Sequence, residues 1–174
     1  MKYIVKFFVV TLLLFTCTYA YSEQRVVVLD MKFVLNSSKA GAEAQELLKK
    51  KFNDNAKKFT DMEKGLKKEE IDLLGQKNIL SKDEYTKKSD SLRKKVIDYQ
   101  SERRSSLDKL AKQRVEARQT LIKEVDPIID YYIKENNISI VMDKKYMIGG
   151  LTEYDITKII VEKLNKKLPS LNLQ

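Results

Sequence analysis

The side chains of this sequence able to carry out chemistry are a few well-placed carboxylates and a large number of cations. Asp30 and Asp143 close short β-branched runs and Asp155 precedes a helical pattern, so general acid–base work would fall to them. Turn and capping duties explain carboxylates at strand ends and caps equally well, and the pattern offers no pocket to house a reaction. The sequence has no His and a single Cys, Cys17. Imidazole and thiolate metal sites, Ser-His or Cys-His nucleophile pairs and intramolecular disulfides therefore lack their residues. Gly149-Gly150 is an isolated pair with no following Lys-Ser or Lys-Thr, so no phosphate-cradling loop is expected. A non-enzyme without metal or cofactor is the reading these residues favour.

The cations are the positive signal. Lys and Arg number 34 against 25 Asp and Glu, a net +9. Residues 43–118 hold 21 of the basic and 15 of the acidic residues, with basic runs at Lys49-Lys50-Lys51, Lys57-Lys58, Lys67-Lys68, Lys87-Lys88, Arg93-Lys94-Lys95 and Arg103-Arg104. Such runs fit either a solvated helical face with i,i+4 pairing to Glu and Asp, or a surface for anionic lipid, nucleic acid or acidic clients.

Several elements must carry these residues. Lys2 and Lys6 flank an apolar stretch from Phe7 to Phe15, and small residues follow around Ala20 and Ser22. This pattern predicts a secretory signal peptide over residues 1–22, cleaved after Ala20 or Ser22. The stretch is short of the about 20 apolar residues a bilayer span needs, and Phe15-Thr16 before Cys17 fits a lipoprotein site poorly. Cleavage would remove the only thiol and suits export to the periplasm. Arg25 to Leu29 reads as a buried strand closed by Asp30, Ile138 to Met142 as a second and Tyr146 to Ile148 as a third. Thr152-Glu153-Tyr154-Asp155 has the form of a capping box, opening a last helix that runs to about Leu168 before Pro169.

From Lys39 to Asn136 the composition favours helix. Gly75 to Asn78 weakens the pattern and Ser81-Lys82-Asp83-Glu84 is a capping box, so two long antiparallel helices are expected, of roughly 50 and 80 Å, with a turn near residues 75–81. Asp126-Pro127 is expected to kink or restart the second. Stepping by fours and threes from Leu48 gives Phe52, Asn55, Phe59, Met62, Leu66, Glu69 and Leu73. The same stepping from Tyr85 gives Ser89, Leu92, Val96, Tyr99, Arg103, Ser106, Leu110, Gln113 and Ala117. This is a heptad seam with polar gaps. The aromatics Phe52, Phe59, Tyr85 and Tyr99 lie on it, so seam packing accounts for them better than base stacking does. Leu121, Ile122, Val125, Ile128, Ile129, Tyr132 and Ile133 are expected to pack on the strands.

The fold class is therefore α+β and mostly helical. A small strand body is built from residues 23–38 and 119–174, and a hairpin arm spans residues 39–118. A thin hairpin buries one stripe per helix, while ordering each residue costs about 1–2 kcal/mol of backbone entropy. The body is itself too small to stand alone. Self-association through the strands and last helix would supply the missing burial and cover the sheet edges, with Val26, Val28, Ile138, Ile140, Met142, Ile156 and Ile160 as the candidate oligomer core.

The order of these features carries a resemblance: Val26-Val27-Val28-Leu29-Asp30, then Ser38-Lys39-Ala40-Gly41 leading through Ala44 and Leu48 into a Lys/Glu-rich hairpin, Ile138 to Lys145, and Asp155-Ile156-Thr157 opening the last helix. The chain resembles the Skp/OmpH family of periplasmic chaperones over essentially its whole length after residue 22. The resemblance implies a homotrimer with a β-rich core and three arms around a cavity. It implies ATP-independent holding of unfolded outer-membrane β-barrel proteins before membrane insertion. The candidate client-binding residues are then the arm's apolar Phe52, Phe59, Met62, Leu66, Tyr85, Leu92, Val96 and Tyr99. Lys87, Lys88, Arg93, Lys94, Lys95, Arg103 and Arg104 are candidates for contact with acidic clients, anionic lipid or lipopolysaccharide. The alternative is a basic coiled-coil protein that binds nucleic acid or serves as an envelope-surface structure. Export and the interleaved acidic residues disfavour nucleic acid as a partner.

Overall fold

The computed structural model describes residues 24–173. The expected signal segment lies outside the described residues. The order of elements is β1 (Arg25–Leu29), α1 (Met31–Ser37), α2 (Lys39–Gly75), α3 (Lys82–Glu135), β2 (Ile138–Asp143) and α4 (Thr157–Lys167). The chain is mostly helical with one small sheet.

β1 and β2 pair in parallel, with Val26 opposite Ile140, Val28 opposite Met142 and Leu29 opposite Asp143, after a register shift between Arg25 and Val26. Parallel strands need a long crossover, and here the crossover is the whole hairpin. The sheet has two strands where three were expected. Asp143 accepts a hydrogen bond from the Lys145 amide (3.0 Å) and Met147 N–H donates to the Lys144 carbonyl (3.0 Å), so residues 144–146 coil into a 3₁₀ turn and leave the sheet. The free edge of β1 is taken instead by a single bridge to Asp155, with Ile156 N–H donating to the Val28 carbonyl (3.0 Å).

That bridge also displaces the expected capping box. Residues 152–154 form a second 3₁₀ turn, and α4 starts at Thr157 with Ile156 as an N-cap that makes no side-chain cap bond. Asp155 is held extended by the bridge and by Lys144 (2.6 Å), and its other oxygen accepts the Thr157 amide (2.9 Å).

Ser38 joins α1 to α2 without a loop. Its amide closes α1 on the Val34 carbonyl while its side chain accepts from Gly41 N–H (3.2 Å) and caps α2. α3 is continuous for 54 residues, about 81 Å, and does not restart at Pro127. Pro127 is exposed, while Val125 and Ile128 on either side of it are buried, and that packing carries the helix past the missing amide.

The core is formed where both chain ends meet the roots of the long helices. Val27 and Leu29 of β1, Val34 and Leu35 of α1, Ala40, Leu121, Val125 and Ile128 of the roots, Ile138, Ile156, and Ile160 and Leu164 of α4 form one buried cluster. Ile122, Ile129, Tyr132 and Ile133 pack against it, as the apolar density before Asn136 predicts. Each fully buried aliphatic contributes about 1.5–3 kcal/mol. Polar ties fix α4 over this cluster: Thr157 Oγ1 accepts from Asp30 N–H (2.9 Å), and Asn165 Oδ1 accepts from Lys39 N–H (2.7 Å).

Candidate functional site

The hairpin seam follows the heptad stepping closely. Of the stepped positions, Phe59 and the root residues Leu48 and Ala117 are buried. Met62, Leu66, Leu73, Tyr85, Leu92, Val96, Tyr99 and Leu110 are half-buried. Phe59 and Tyr99 meet edge to face with centroids 6.1 Å apart, a geometry aromatic pairs favour.

The polar gaps at Asn55, Glu69 and Ser106 are paired across the hairpin. Asn55 Nδ2 donates to Ser106 Oγ (2.6 Å), so two of the expected defects satisfy each other. Glu69 takes Lys95 (2.7 Å) from the facing helix, Lys58 bridges to Glu102, and Lys88 Nζ donates to Gln76 Oε1 (2.7 Å). Along α2, Glu63 and Lys67 pair at 2.9 Å. The hydrogen bond and charge of Lys67 hold the Glu63 carboxyl below its usual range, and Glu63 raises Lys67 in turn. Exposed pairs of this kind contribute little each, so they set register more than stability.

Hollows open along the seam, three of them in line from root to tip. One of about 770 Å³ at the root is bordered by Leu48, Phe52 and Ala117, one of about 300 Å³ at mid-arm by Phe52, Phe59 and Leu107, and one of about 500 Å³ toward the tip by Leu66, Leu92 and Tyr99. The seam is thus zipped but not filled.

The structure sorts the candidate residues by accessibility. Of the eight apolar arm candidates only Phe52 is exposed (49%). Phe59 is buried, and Met62, Leu66, Tyr85, Leu92, Val96 and Tyr99 pack between the helices with one edge open. Exposed apolar side chains off the seam stepping were missed: Ile71, Leu74, Ile79, Ile97, Leu107 and Val115. Their signal was apolar residues that break the heptad. Among the basic candidates Lys88 and Lys95 are committed to cross-hairpin contacts and Arg93 to Asp90 (3.0 Å), Arg103 borders the mid-arm hollow, and Lys87, Lys94 and Arg104 are exposed.

The oligomer-core candidates divide as well. Ile138, Ile156 and Ile160 are buried in the chain's own core, and Val28 is buried outside that cluster, where it bridges to Asp155 and its carbonyl accepts the Ile156 amide. Val26 (37%), Ile140 (50%) and Met142 (41%) are open. Register places Val26 opposite Ile140 and Val28 opposite Met142, so the open three share a sheet face with the buried Val28, opposite the face of Val27 and Leu29 that meets the core.

The family model for the outer membrane protein (OmpH-like) family matches residues 25–164. The chain belongs to the OmpH-like family. A Skp-like protein of Pseudomonas aeruginosa is 20% identical over 166 residues, covering 95% of this chain and 99% of that one. The crystal structure of an OmpH-like protein from Caulobacter crescentus, assigned as an outer membrane chaperone, superposes with a TM-score of 0.78 at 17% identity, covering 86% of this chain and 88% of that one. The mostly helical fold with its small sheet and long hairpin is therefore an OmpH-like fold.

Proposed function

We propose that the chain is an ATP-independent periplasmic holdase, exported by residues 1–22, that keeps unfolded outer-membrane β-barrel proteins from aggregating. The observation that carries this is the hairpin: a projecting arm whose apolar seam is held in register by polar pairs yet left open in three hollows. Membership of the OmpH-like family supports it. Such an arm offers many weak apolar contacts and no reaction centre, which suits reversible holding and a non-enzymatic role.

The working form is a homotrimer joined through the body, with Val26, Ile140 and Met142 at the contact between copies. Three arms then surround one client. Contacts weak enough to release singly hold through effective concentration, and the basic excess of residues 43–118 draws in acidic clients and anionic lipid headgroups.

The test mixes the protein with an outer-membrane β-barrel protein diluted from urea and follows light scattering across a salt series. Suppressed aggregation at near-stoichiometric ratio, weakening modestly with salt, is the expected result. Unaffected aggregation at every salt concentration, with tight duplex binding at physiological salt, would establish the nucleic-acid reading instead.

A further inference from the structure

The two flanks of the hairpin differ. Successive helical residues turn about 100° around the axis, so side chains beside the seam fall to one flank or the other. The contacts Lys58–Glu102, Glu69–Lys95 and Gln76–Lys88 lie on one flank, while the Asn55–Ser106 bond sits at the seam itself, with Asn55 bordering the mid-arm hollow. A hollow of about 230 Å³ on that flank is lined mainly by polar residues, Glu69, Asp72, Lys88 and Lys95 among them.

The other flank is a continuous groove. The root and mid-arm hollows share Phe52, and the mid-arm and tip hollows share Glu63 and Tyr99. Phe52, Leu74 and Leu107 line it while 49%, 58% and 43% exposed. Its charged lining comprises Lys49, Lys67, Arg93, Arg103, Arg114 and Arg118 against Glu46, Glu63 and Glu70, a basic excess.

Resting on the proposed function, we infer that this flank, and not the bridged one, is the surface that receives the client. The occupant is an extended, apolar-alternating and acidic segment of an unfolded outer-membrane β-barrel protein. From Gly41 to Leu74 the groove runs about 50 Å, the length of about 15 extended residues. A barrel strand of about 10 residues places its lipid-facing side chains on one side. Those side chains enter the hollows, and the acidic residues on and beside the strand meet the basic lining.

The test uses single-cysteine variants of the exported protein, from which Cys17 is removed with residues 1–22, each carrying a benzophenone label and mixed with a urea-diluted outer-membrane barrel protein. Ala56→Cys and Leu107→Cys sit in the groove, and Asp72→Cys and Ser91→Cys sit in the bridged-flank hollow. Cross-linking to the client is expected to be at least fivefold higher from the groove positions. The pair Leu74→Ser with Leu107→Ser is expected to raise several-fold the concentration needed to suppress aggregation, with helix content and oligomeric mass unchanged.

Equal or reversed cross-linking while aggregation is suppressed overturns the flank assignment and leaves the holdase reading standing. Cross-links between copies in place of client show that a neighbouring arm covers the groove, and also overturn it. Failure to suppress aggregation, with no cross-link from any position, overturns both.

Discussion

Gly41 shows how tightly one residue can be specified without any catalytic duty. A Cβ there would lie 1.8 Å from the Leu35 carbonyl oxygen and 2.9 Å from its carbon, and neither backbone atom can yield without separating α1 from α2. Gly41→Ala is therefore expected to destabilise the body by about 1–3 kcal/mol or more, read as a lowered urea midpoint, whereas Gly65→Ala, with open space around it, stabilises slightly. The sequence marks Ser38-Lys39-Ala40-Gly41 as an entry to the arm, and the reason for the glycine becomes visible only when the α1 carbonyl is seen against it. Titration follows the same local logic. The Lys145 amide and ammonium hold Asp143 below its usual range. For Asp155, burial works upward but Lys144 and Thr157 outweigh it and bring it down. A carboxylate with a depressed folded-state pKa stabilises the fold above its unfolded value of about 4, and that contribution is lost as pH falls through the folded value. With no His in the sequence, stability and client holding are expected to stay flat from about pH 5.5 to 8, with loss beginning below about pH 4 in a circular-dichroism titration.

Among elements, the hairpin was the most legible, because a repeat of fours and threes is a direct projection of helix geometry onto sequence. Its gaps at Asn55 and Ser106 were visible too, but the hydrogen bond between them depends on the stagger of two antiparallel helices, which periodicity does not set. Replacing both residues with Leu removes the polar pair as a unit and leaves no orphaned donor. The double variant is expected to raise the thermal midpoint by a few degrees, while Asn55→Leu alone gains less or loses stability; differential scanning calorimetry separates the cases. Replacing Phe59 and Tyr99 with Ser would break the edge-to-face pair that packs the arm, so loss of holding there would report collapse of the seam. Short elements were less legible. The third strand and the capping box expected around Tyr146 and Thr152 have the right local composition, but Asp143 and the Val28–Asp155 bridge claim those backbone groups first.

At the scale of the whole molecule, the outer face of the sheet bears on assembly. A two-stranded sheet is marginal in water, and Val26, Ile140 and Met142 leave its outer side apolar and open. Ile140→Glu with Met142→Glu is expected to leave the chain folded, since neither residue belongs to the buried cluster, and to yield a monomer mass by multi-angle light scattering, against the trimer mass expected of the unaltered protein. An unchanged trimer would move the interface elsewhere. The parallel pairing of β1 with β2 has another consequence, in the order of folding. Leu29 and Ile138 are separated in sequence by both long helices, and closing so long a loop as random coil is slow and entropically costly. A hairpin that forms first from local contacts returns its two ends to the same place and shortens the effective loop to almost nothing. The arm thus acts as the folding guide for its own body, and the sheet is expected to be the last part of the chain to form.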